Sequence, residues 1–214
     1  VQLNKHFSRI SCSTLQRLII LKKVFKDVVI IGAGAAGLMC AIEAGKRGRK
    51  VILVDAAHKL AEKIRISGGG RCNFTNRYAR AENFLSSNPH FCRSALARFT
   101  PLDFIALVEK HGIRYHEKKL GQLFCDDSSQ QIIDMLQDEC QAVNVEWQIS
   151  SQIGQIEYLP GNAGVQKAGY KFLLTTERNI LETTSLVIAT GGLSIPQIGA
   201  SAFGYQVANQ FNIR

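Results

Sequence analysis

Val28-Val29-Ile30-Ile31-Gly32-Ala33-Gly34-Ala35-Ala36-Gly37 is the stretch on which the fold turns. An apolar run leads into three glycines spaced as GxGxxG. Small residues compatible with a helix follow as far as Gly48. A second apolar run, Val51-Ile52-Leu53-Val54, ends in Asp55. Strand, glycine turn, helix, strand and acid, in that order, make a dinucleotide-binding βαβ unit. Gly32 permits the tight turn. Gly34, having no Cβ, lets the backbone approach a pyrophosphate. Gly37 lets the helix pack close to the sheet. Ala35 and Ala36 open the helix, whose N-terminus presents free N–H groups and the positive end of its dipole to phosphates. Asp55 is placed to accept hydrogen bonds from a ribose diol. Its charge argues against a 2′-phosphate, because like charges would meet there.

Beyond this unit the alternation of apolar and polar residues sets out the rest of the chain. Val28–Ile31 reads as the first strand, Ala35–Arg47 as the first helix and Val51–Val54 as the second strand. Residues 56–78 read as a long glycine-containing loop, a length usually reserved for function. Pro89–Phe99 reads as helical. Thr100-Pro101-Leu102-Asp103 is a helix start with Pro at its first position, and that helix runs to His111, where Gly112 stops it. Ile113–His116 and Gln122–Phe124 read as short strands about Gly121. Asp126 or Asp127 can cap a helix from about Ser129 to Ala142. Val145–Ser150 reads as a third core strand.

The pattern then changes. Ile153–Tyr158, Tyr170–Thr175 and Ile180–Thr183 alternate, with turn signals at Pro160-Gly161-Asn162 and Arg178-Asn179. That is an antiparallel meander. Leu186–Ala189 reads as a buried strand running into Thr190-Gly191-Gly192. Simple NAD dehydrogenases use helical crossovers where this meander stands, whereas FAD domains of the glutathione-reductase type carry a meander there. The expected fold class is therefore α/β: a Rossmann-like FAD-binding domain of glutathione-reductase type, with a parallel sheet and an antiparallel β-meander.

Bulk properties set the outer bounds. The 214 residues suffice for one domain with a substantial core; 46% are hydrophobic and 20% charged, as in globular proteins. The formal net charge of +9 is unevenly spread. Residues 1–26 hold six basic side chains and no acid, and residues 27–214 hold 20 against 17, a net of +3. The domain from 27 onward is thus close to neutral, and no nucleic-acid partner is expected from charge. Residues 1–26 have the composition of an organelle transit peptide. They are read here as a disordered or non-native basic extension, with Leu21–Asp27 resembling the start of a Rossmann-type chain. The six cysteines form no CxxC pair and no His/Cys cluster with zinc spacing, so no metal site is expected. Unpaired cysteines suggest a reducing, cytoplasmic setting. No apolar run approaches the ~20 residues of a membrane helix.

Three blocks together resemble one family: Gly32–Met39; Ile66-Ser67-Gly68-Gly69-Gly70-Arg71-Cys72-Asn73-Phe74-Thr75-Asn76; and Ala189-Thr190-Gly191-Gly192-Leu193-Ser194 with Gly199-Ala200-Ser201. The chain from about Lys26 resembles the BaiN-like FAD-dependent flavoproteins, also called the aminoacetone oxidase family or YhiN-type proteins. The resemblance extends to His116-Glu117-Lys118 and to Gly121–Asp127. It implies that Gly32, Gly34, Ala35, Ala36 and Gly37 hold an FAD pyrophosphate and that Asp55 takes the adenosine ribose. Ser67, Gly68, Gly69, Gly70, Arg71, Cys72 and Asn73 would form a loop near the pyrophosphate and flavin. Ala189, Thr190, Gly191 and Gly192 would form a second cofactor turn.

The glycines of the second block suit an anion nest on physical grounds alone, and Arg71 adds a positive fork. The position five after Cys72 is Arg77, so no Cys-x4-Cys dithiol exists and Cys72 reads as a packed thiol. The chain departs from the family at Ala61-Glu62-Lys63, where Gly-Arg-Lys is usual; Lys63 is kept. Arg65 stands where an apolar residue is usual. Family members are about twice as long, so the resemblance implies an FAD domain incomplete at its C-terminus.

The expected activity is FAD-dependent oxidoreduction of a small organic substrate by hydride transfer, with NAD(P)H or oxygen as the second redox partner. An NAD-dependent dehydrogenase and an inactive FAD-domain fragment are the alternatives, and a flavoprotein acting on RNA is a further one. No catalytic residue is assigned. His116, Glu117 and Cys125 lie in a turn region that could reach an active site, but each reads more readily as structural.

Overall fold

The computed structural model describes residues 21–159, 171–193 and 202–213. The turn expected at Pro160-Gly161-Asn162, the block Gly199-Ala200-Ser201 and most of the basic extension lie outside them. Among the described residues nine strands form two sheets. The larger has the order β6-β2-β1-β9-β8-β7 and the smaller β3-β5-β4.

Strand β1 (Lys22–Ile31) pairs parallel with β2 (Val51–Asp55), and β2 pairs parallel with β6 (Glu146–Ile149). Side chains alternate across this sheet. Val28, Ile30, Val51 and Leu53 face one apolar cluster, shared with Leu38, Ala41 and Ile42 of helix α1 (Ala35–Lys46). Val29, Ile31, Ile52 and Val54 face the other, with Ile156, Leu174, Leu181 and Val207. Strands buried on both faces are the reason the sequence shows unbroken apolar runs here.

Several elements differ from the sequence expectation. β1 begins at Lys22, not Val28, because its polar first half has a partner: it pairs parallel with β9 (Asn179–Ile188) from Lys22↔Asn179 onward. Lys23 reaches Glu182 at 2.8 Å. The expected strands Ile180–Thr183 and Leu186–Ala189 are therefore one strand. Its polar middle is accommodated where Thr183 and Thr184 donate their hydroxyls to the carbonyl of Asp27, at 3.0 and 2.8 Å. β9 also pairs antiparallel with β8 (Phe172–Thr176), and β8 with β7 (Ile153–Tyr158). The meander exists, and it is continuous with the parallel sheet.

The loop expected over 56–78 contains a short helix α2 (Glu62–Ile66), a 3-10 turn (Ser67–Gly70) and β3 (Asn73–Asn76). Asn76 precedes a second 3-10 turn (Ala81–Asn83). Only Arg93–Arg98 of the expected Pro89–Phe99 helix is helical (α3), because Asn88-Pro89 makes a turn first, closed by Phe91 N–H to the Asn88 carbonyl at 3.1 Å. Helix α4 (Pro101–Lys110) starts as expected: Thr100 accepts from the Asp103 N–H, and the Asp103 carboxylate accepts from the Thr100 N–H.

Strands β4 (Tyr115–Glu117) and β5 (Gln122–Cys125) precede helix α5 (Gln130–Ala142). Neither Asp126 nor Asp127 caps α5. Asp126 binds His116 at 2.7 Å and Asp127 faces Arg114 at 3.5 Å, while the Ser128 hydroxyl accepts from the Gln130 N–H. Helix α6 (Phe203–Gln210), which the sequence reading did not anticipate, packs Val207 on the second apolar face. Among the described residues no helix is long and apolar enough to cross a membrane.

Candidate functional site

The C-terminal ends of β1, β2 and β9 meet at one edge, where doubly wound sheets place their ligands. Gly32 N–H donates to the Val54 carbonyl at 2.8 Å, and Ala189 N–H donates to the Ile31 carbonyl at 2.7 Å. Gly32 has φ +111, and a Cβ there would lie 2.4 Å from the Ala189 carbonyl oxygen. The first and third sequence blocks are thus in backbone contact. A Cβ on Gly37 would meet the Gly32 carbonyl oxygen at 1.8 Å, so the start of α1 presses directly on the turn. At Gly34, by contrast, a Cβ would meet nothing within 4 Å. The three glycines have three separate reasons to be glycine.

A cleft of about 730 Å³ opens over this edge. Gly32, Gly34, Ala35, Ala36, Asp55, Lys63, Ala189, Thr190 and Gly191 line it. Gly37 lies behind, buried. Gly192 takes part through its carbonyl, which accepts from Lys63 Nζ at 3.3 Å. α1 has no side-chain cap, so the N–H groups of its first turn are left for an anion. The Asp55 carboxylate already has two partners: Oδ2 accepts from the Ala33 N–H at 2.5 Å and Oδ1 from the Ala57 N–H at 2.8 Å. A carboxylate offers about four acceptor positions, so each oxygen keeps one for a ligand hydroxyl. Thr190 carries a buried hydroxyl with no partner among the described residues.

The sequence reading missed two parts of the wall. Ser151, Gln152 and Ile153 come from the turn after β6, and Phe203 and Gln206 come from α6. The first had a signal: a strand end at the ligand edge of the sheet. The second had none short of the tertiary structure.

The second block folds separately. Gly68, Gly69 and Gly70 have φ of +60, +68 and +86, a left-handed run that only glycine adopts without strain. Ser67 accepts from the Cys72 N–H, and Gly70 accepts from the Ser129 N–H. A Cβ on Gly68 would strike the Phe124 ring at 2.7 Å, while Gly69 and Gly70 face open space. Ser67 to Asn73 do not line the cleft. Arg71 is exposed. Cys72 is buried, and burial pushes its thiol up to about 12, with the neighbouring Cys125 adding to the rise. A thiol so hard to ionise is a packing group. Cys125 is equally enclosed, its thiol raised to about 11 by burial. His116 and Glu117 are exposed on β4, His116 against Asp126 and Glu117 against Arg77 at 3.6 Å.

The two departures around α2 answer one another. Arg65 Nε faces Glu62 at 3.9 Å, and the Arg65 guanidinium donates to Gln130 at 2.5 Å and to the Leu60 carbonyl at 3.4 Å. The acid beside the cleft is thereby partly neutralised by its own helix. Ala61 takes φ +55, the left-handed region, where glycine would be unstrained.

The model of the HI0933-like protein Rossmann domain matches residues 26–214. The chain belongs to this family. It is 54% identical over 187 residues to the ribosomal RNA dihydrouridine synthase of Escherichia coli, covering 87% of this chain and 44% of that protein. It is 46% identical to the protein of the same name from Haemophilus influenzae, covering 88% and 46%. The 3-dehydro-bile acid delta(4,6)-reductase of Clostridium scindens is 22% identical, covering 84% and 42%. The chain therefore spans less than half the length of the curated relatives it matches. Among solved structures, a flavocytochrome c3 fumarate reductase superposes with a TM-score of 0.58 at 17% identity, covering 98% of this chain and 44% of that one. THI4 of Thermovibrio ammonificans gives 0.51 at 12%, covering 94% and 67%. These likenesses establish the fold.

FAD is the cofactor of this domain. The residues present fit the group. Gly34 leaves room for a pyrophosphate, the first turn of α1 supplies N–H donors, Lys63 stands on the same wall, and Asp55 keeps acceptors for a ribose.

Proposed function

We propose that this chain is the cofactor-binding part of an enzyme that saturates a carbon–carbon double bond conjugated to a carbonyl, and that its substrate is uridine in ribosomal RNA. The observation that carries the reading is the 54% identity to the E. coli ribosomal RNA dihydrouridine synthase. Forming dihydrouridine means adding hydrogen across the C5–C6 bond of uracil, which is conjugated to the C4 carbonyl. The name of the C. scindens relative likewise describes reduction of unsaturation in a 3-keto compound. Hydride addition to an alkene carbon needs such conjugation, because the carbonyl accepts the displaced electron pair, and a proton from solvent then completes the reduction at the neighbouring carbon.

Reduced FAD supplies the hydride when bound. The residues of this chain hold and orient it: the α1 N-terminus and Lys63 carry the pyrophosphate charge, Asp55 fixes the ribose, and the Ala189-Thr190-Gly191 turn closes the edge against Gly32. A nicotinamide nucleotide, NAD(P)H, is the proposed electron donor. The near-neutral charge of residues 27–214 argued against RNA, but net charge is a weaker guide than close similarity over nearly the whole chain. A small organic substrate is the second reading, favoured by the bile-acid relative.

The test is a chimera in which residues 26–214 replace the matched region of the E. coli protein, expressed in cells lacking their own rRNA dihydrouridine synthase. Purified chimera is expected to be yellow and to release FAD on denaturation. Its host's ribosomal RNA is expected to regain a uridine heavier by two hydrogen atoms. A yellow, soluble chimera that leaves the RNA unreduced, where the intact relative reduces it, would overturn the RNA reading.

A further inference from the structure

Between β3 and α4 the chain runs over the surface in a way that the cofactor site does not explain. From Glu82 to Phe91 every residue is exposed. The exposed residues include large apolar side chains: Phe84 is 49% accessible, Phe91 76% and Tyr78 59%. Aromatic rings left in water at this density mark a binding surface. The charge of the segment is equally skewed. Residues 77–99 contain four arginines and one acid, Glu82, while the rest of the 27–214 region carries equal numbers of basic and acidic side chains. The small positive excess of the domain is thus concentrated here. Arg80, Arg93 and Arg98 are exposed and form no ion pair among the described residues.

The base of the segment is firmly held. Arg77 N–H donates to the Gly121 carbonyl at 2.8 Å, and the Asn76 side-chain amide donates to the Leu120 carbonyl at 2.8 Å. One part of the Tyr78 ring lies against Gly121, where a Cβ would stand 2.5 Å from it. A cleft of about 570 Å³ opens between this anchor and the second 3-10 turn, walled by Asn76, Tyr78, Arg80, Asn83 and Phe84, with the acid Glu82 also on its wall. The side chains of Asn76 and Asn83 bond the chain to itself, which leaves ring faces and a guanidinium around the opening, the stacking surface and the positive charge that single-stranded nucleic acid requires.

We propose that the surface of residues 77–99 binds single-stranded ribosomal RNA next to the reacting uridine. A base enters the cleft beside Tyr78 and Phe84, Arg80 meets its phosphate, and Arg93 and Arg98 of α3 track the backbone beyond it. The proposal rests on the RNA reading above and adds to it the surface that would hold the substrate. Charge complementarity favours RNA over an apolar protein segment as the occupant, since such a segment would leave the arginines without partners.

The full chain, loaded with FAD, is titrated with a short oligouridine over a range of salt concentrations, and the chimera is assayed for dihydrouridine in parallel. The double variant Arg80→Ala/Arg93→Ala is expected to weaken binding at least tenfold and to lower the salt slope by about 1.4, the value for two phosphate contacts on a single strand. Phe84→Ala is expected to weaken binding roughly tenfold with little change of slope, and Phe84→Trp to restore it. FAD content and melting temperature should not move. Arg93→Glu/Arg98→Glu, on the exposed face of a short helix, covers the case in which a cleft variant misfolds; it should weaken binding further. Oligouridine carrying 4-thiouridine should photo-crosslink to peptides within 77–99. Unchanged affinity and slope in the arginine variants, or crosslinks confined elsewhere, would overturn the surface while dihydrouridine formation by the chimera left the activity standing. RNA binding left intact by Phe84→Ala would overturn the stacking role of the cleft. A wild-type chimera that forms no dihydrouridine would overturn the activity itself.

Discussion

The carbonyl oxygen of Gly32 occupies the place where a side chain on Gly37 would begin, 1.8 Å from an ideal Cβ. The glycine turn and the helix behind it are therefore one packed unit. Gly37→Ala must push backbone from backbone, which no rotamer change can relieve. The expected cost is roughly 3 kcal/mol or more, at the upper end for overpacking. Gly34→Ala should leave the melting temperature unchanged, because its Cβ meets nothing and its backbone is extended at φ −84. It should instead weaken FAD binding by about tenfold or more, through the lost close approach. Chemical unfolding without FAD, beside FAD titration, separates the two variants.

Asp55 holds the site together before any ligand arrives. Its carboxylate accepts the Ala33 and Ala57 N–H groups, bridging the glycine turn and the exit from β2. In Asp55→Asn one of those N–H groups would face an amide NH2. The apo protein is expected to lose about 1–3 kcal/mol, the cost of an unsatisfied buried donor. Urea unfolding of FAD-free protein measures this; unchanged apo stability would mean that Asp55 serves the ribose alone.

Ala61 sits in the left-handed region at φ +55 and ψ +42 and is buried. Ala61→Gly relieves about 1–2 kcal/mol of backbone strain. Against that stand about 0.4–1 kcal/mol of unfolded-chain entropy and about 0.8 kcal/mol for a buried methyl. The net change is expected to fall within about 0.8 kcal/mol of zero. Ala61→Val, β-branched in the same conformation, should cost more than about 2 kcal/mol. Equal melting temperatures for the Val variant and the parent would show that the turn at Ala61 carries no strain.

Glu139 of α5 ties three helices. It accepts from Lys110 at 2.6 Å and from His111 at 2.9 Å, and it faces Lys46 at 3.9 Å. The hydrogen bond from Lys110, then that from His111, holds its carboxyl below the usual glutamate range. A lowered pKa stabilises the fold above the unfolded value, and the benefit is lost as pH falls through the folded one. Glu139→Gln should cost about 1–2 kcal/mol near neutral pH, kept modest because Lys110 is largely solvated. The gap between parent and variant in urea midpoints should close below about pH 4.5. A gap that persists in acid would assign the cost to packing.

Much of the site was legible from the sequence because it is backbone chemistry. A GxGxxG between two apolar runs states where a turn, a close approach and a helix contact must fall; Gly32 takes the turn and Gly37 the helix contact in the structure, and Gly34 leaves the open space that a close approach requires. The capping residues Thr100 and Asp103 were legible for the same reason, since their partners lie within one turn. Asp126 and Asp127 were misread as caps because His116 and Arg114, their actual partners, belong to another stretch of chain.

What the amino-acid order determined by itself was therefore the βαβ unit, the meander, the left-handed glycine run at 68–70 and, through three short blocks, the family. Each depends on residues within a few positions of one another. Only the tertiary structure decided that Lys22–Lys26 belong to the sheet, that one strand spans Asn179–Ile188, that Gln152 and Gln206 share a cleft with Gly34, and that Glu62 and Arg65 offset each other at its rim. It also decided that Tyr78 and Phe84 stand in water around one cleft with Arg80. The physical reason is the same in each case: a polar residue in an apolar run, or an aromatic in a loop, acquires its role from what lies across from it, and that partner is set by packing between distant segments.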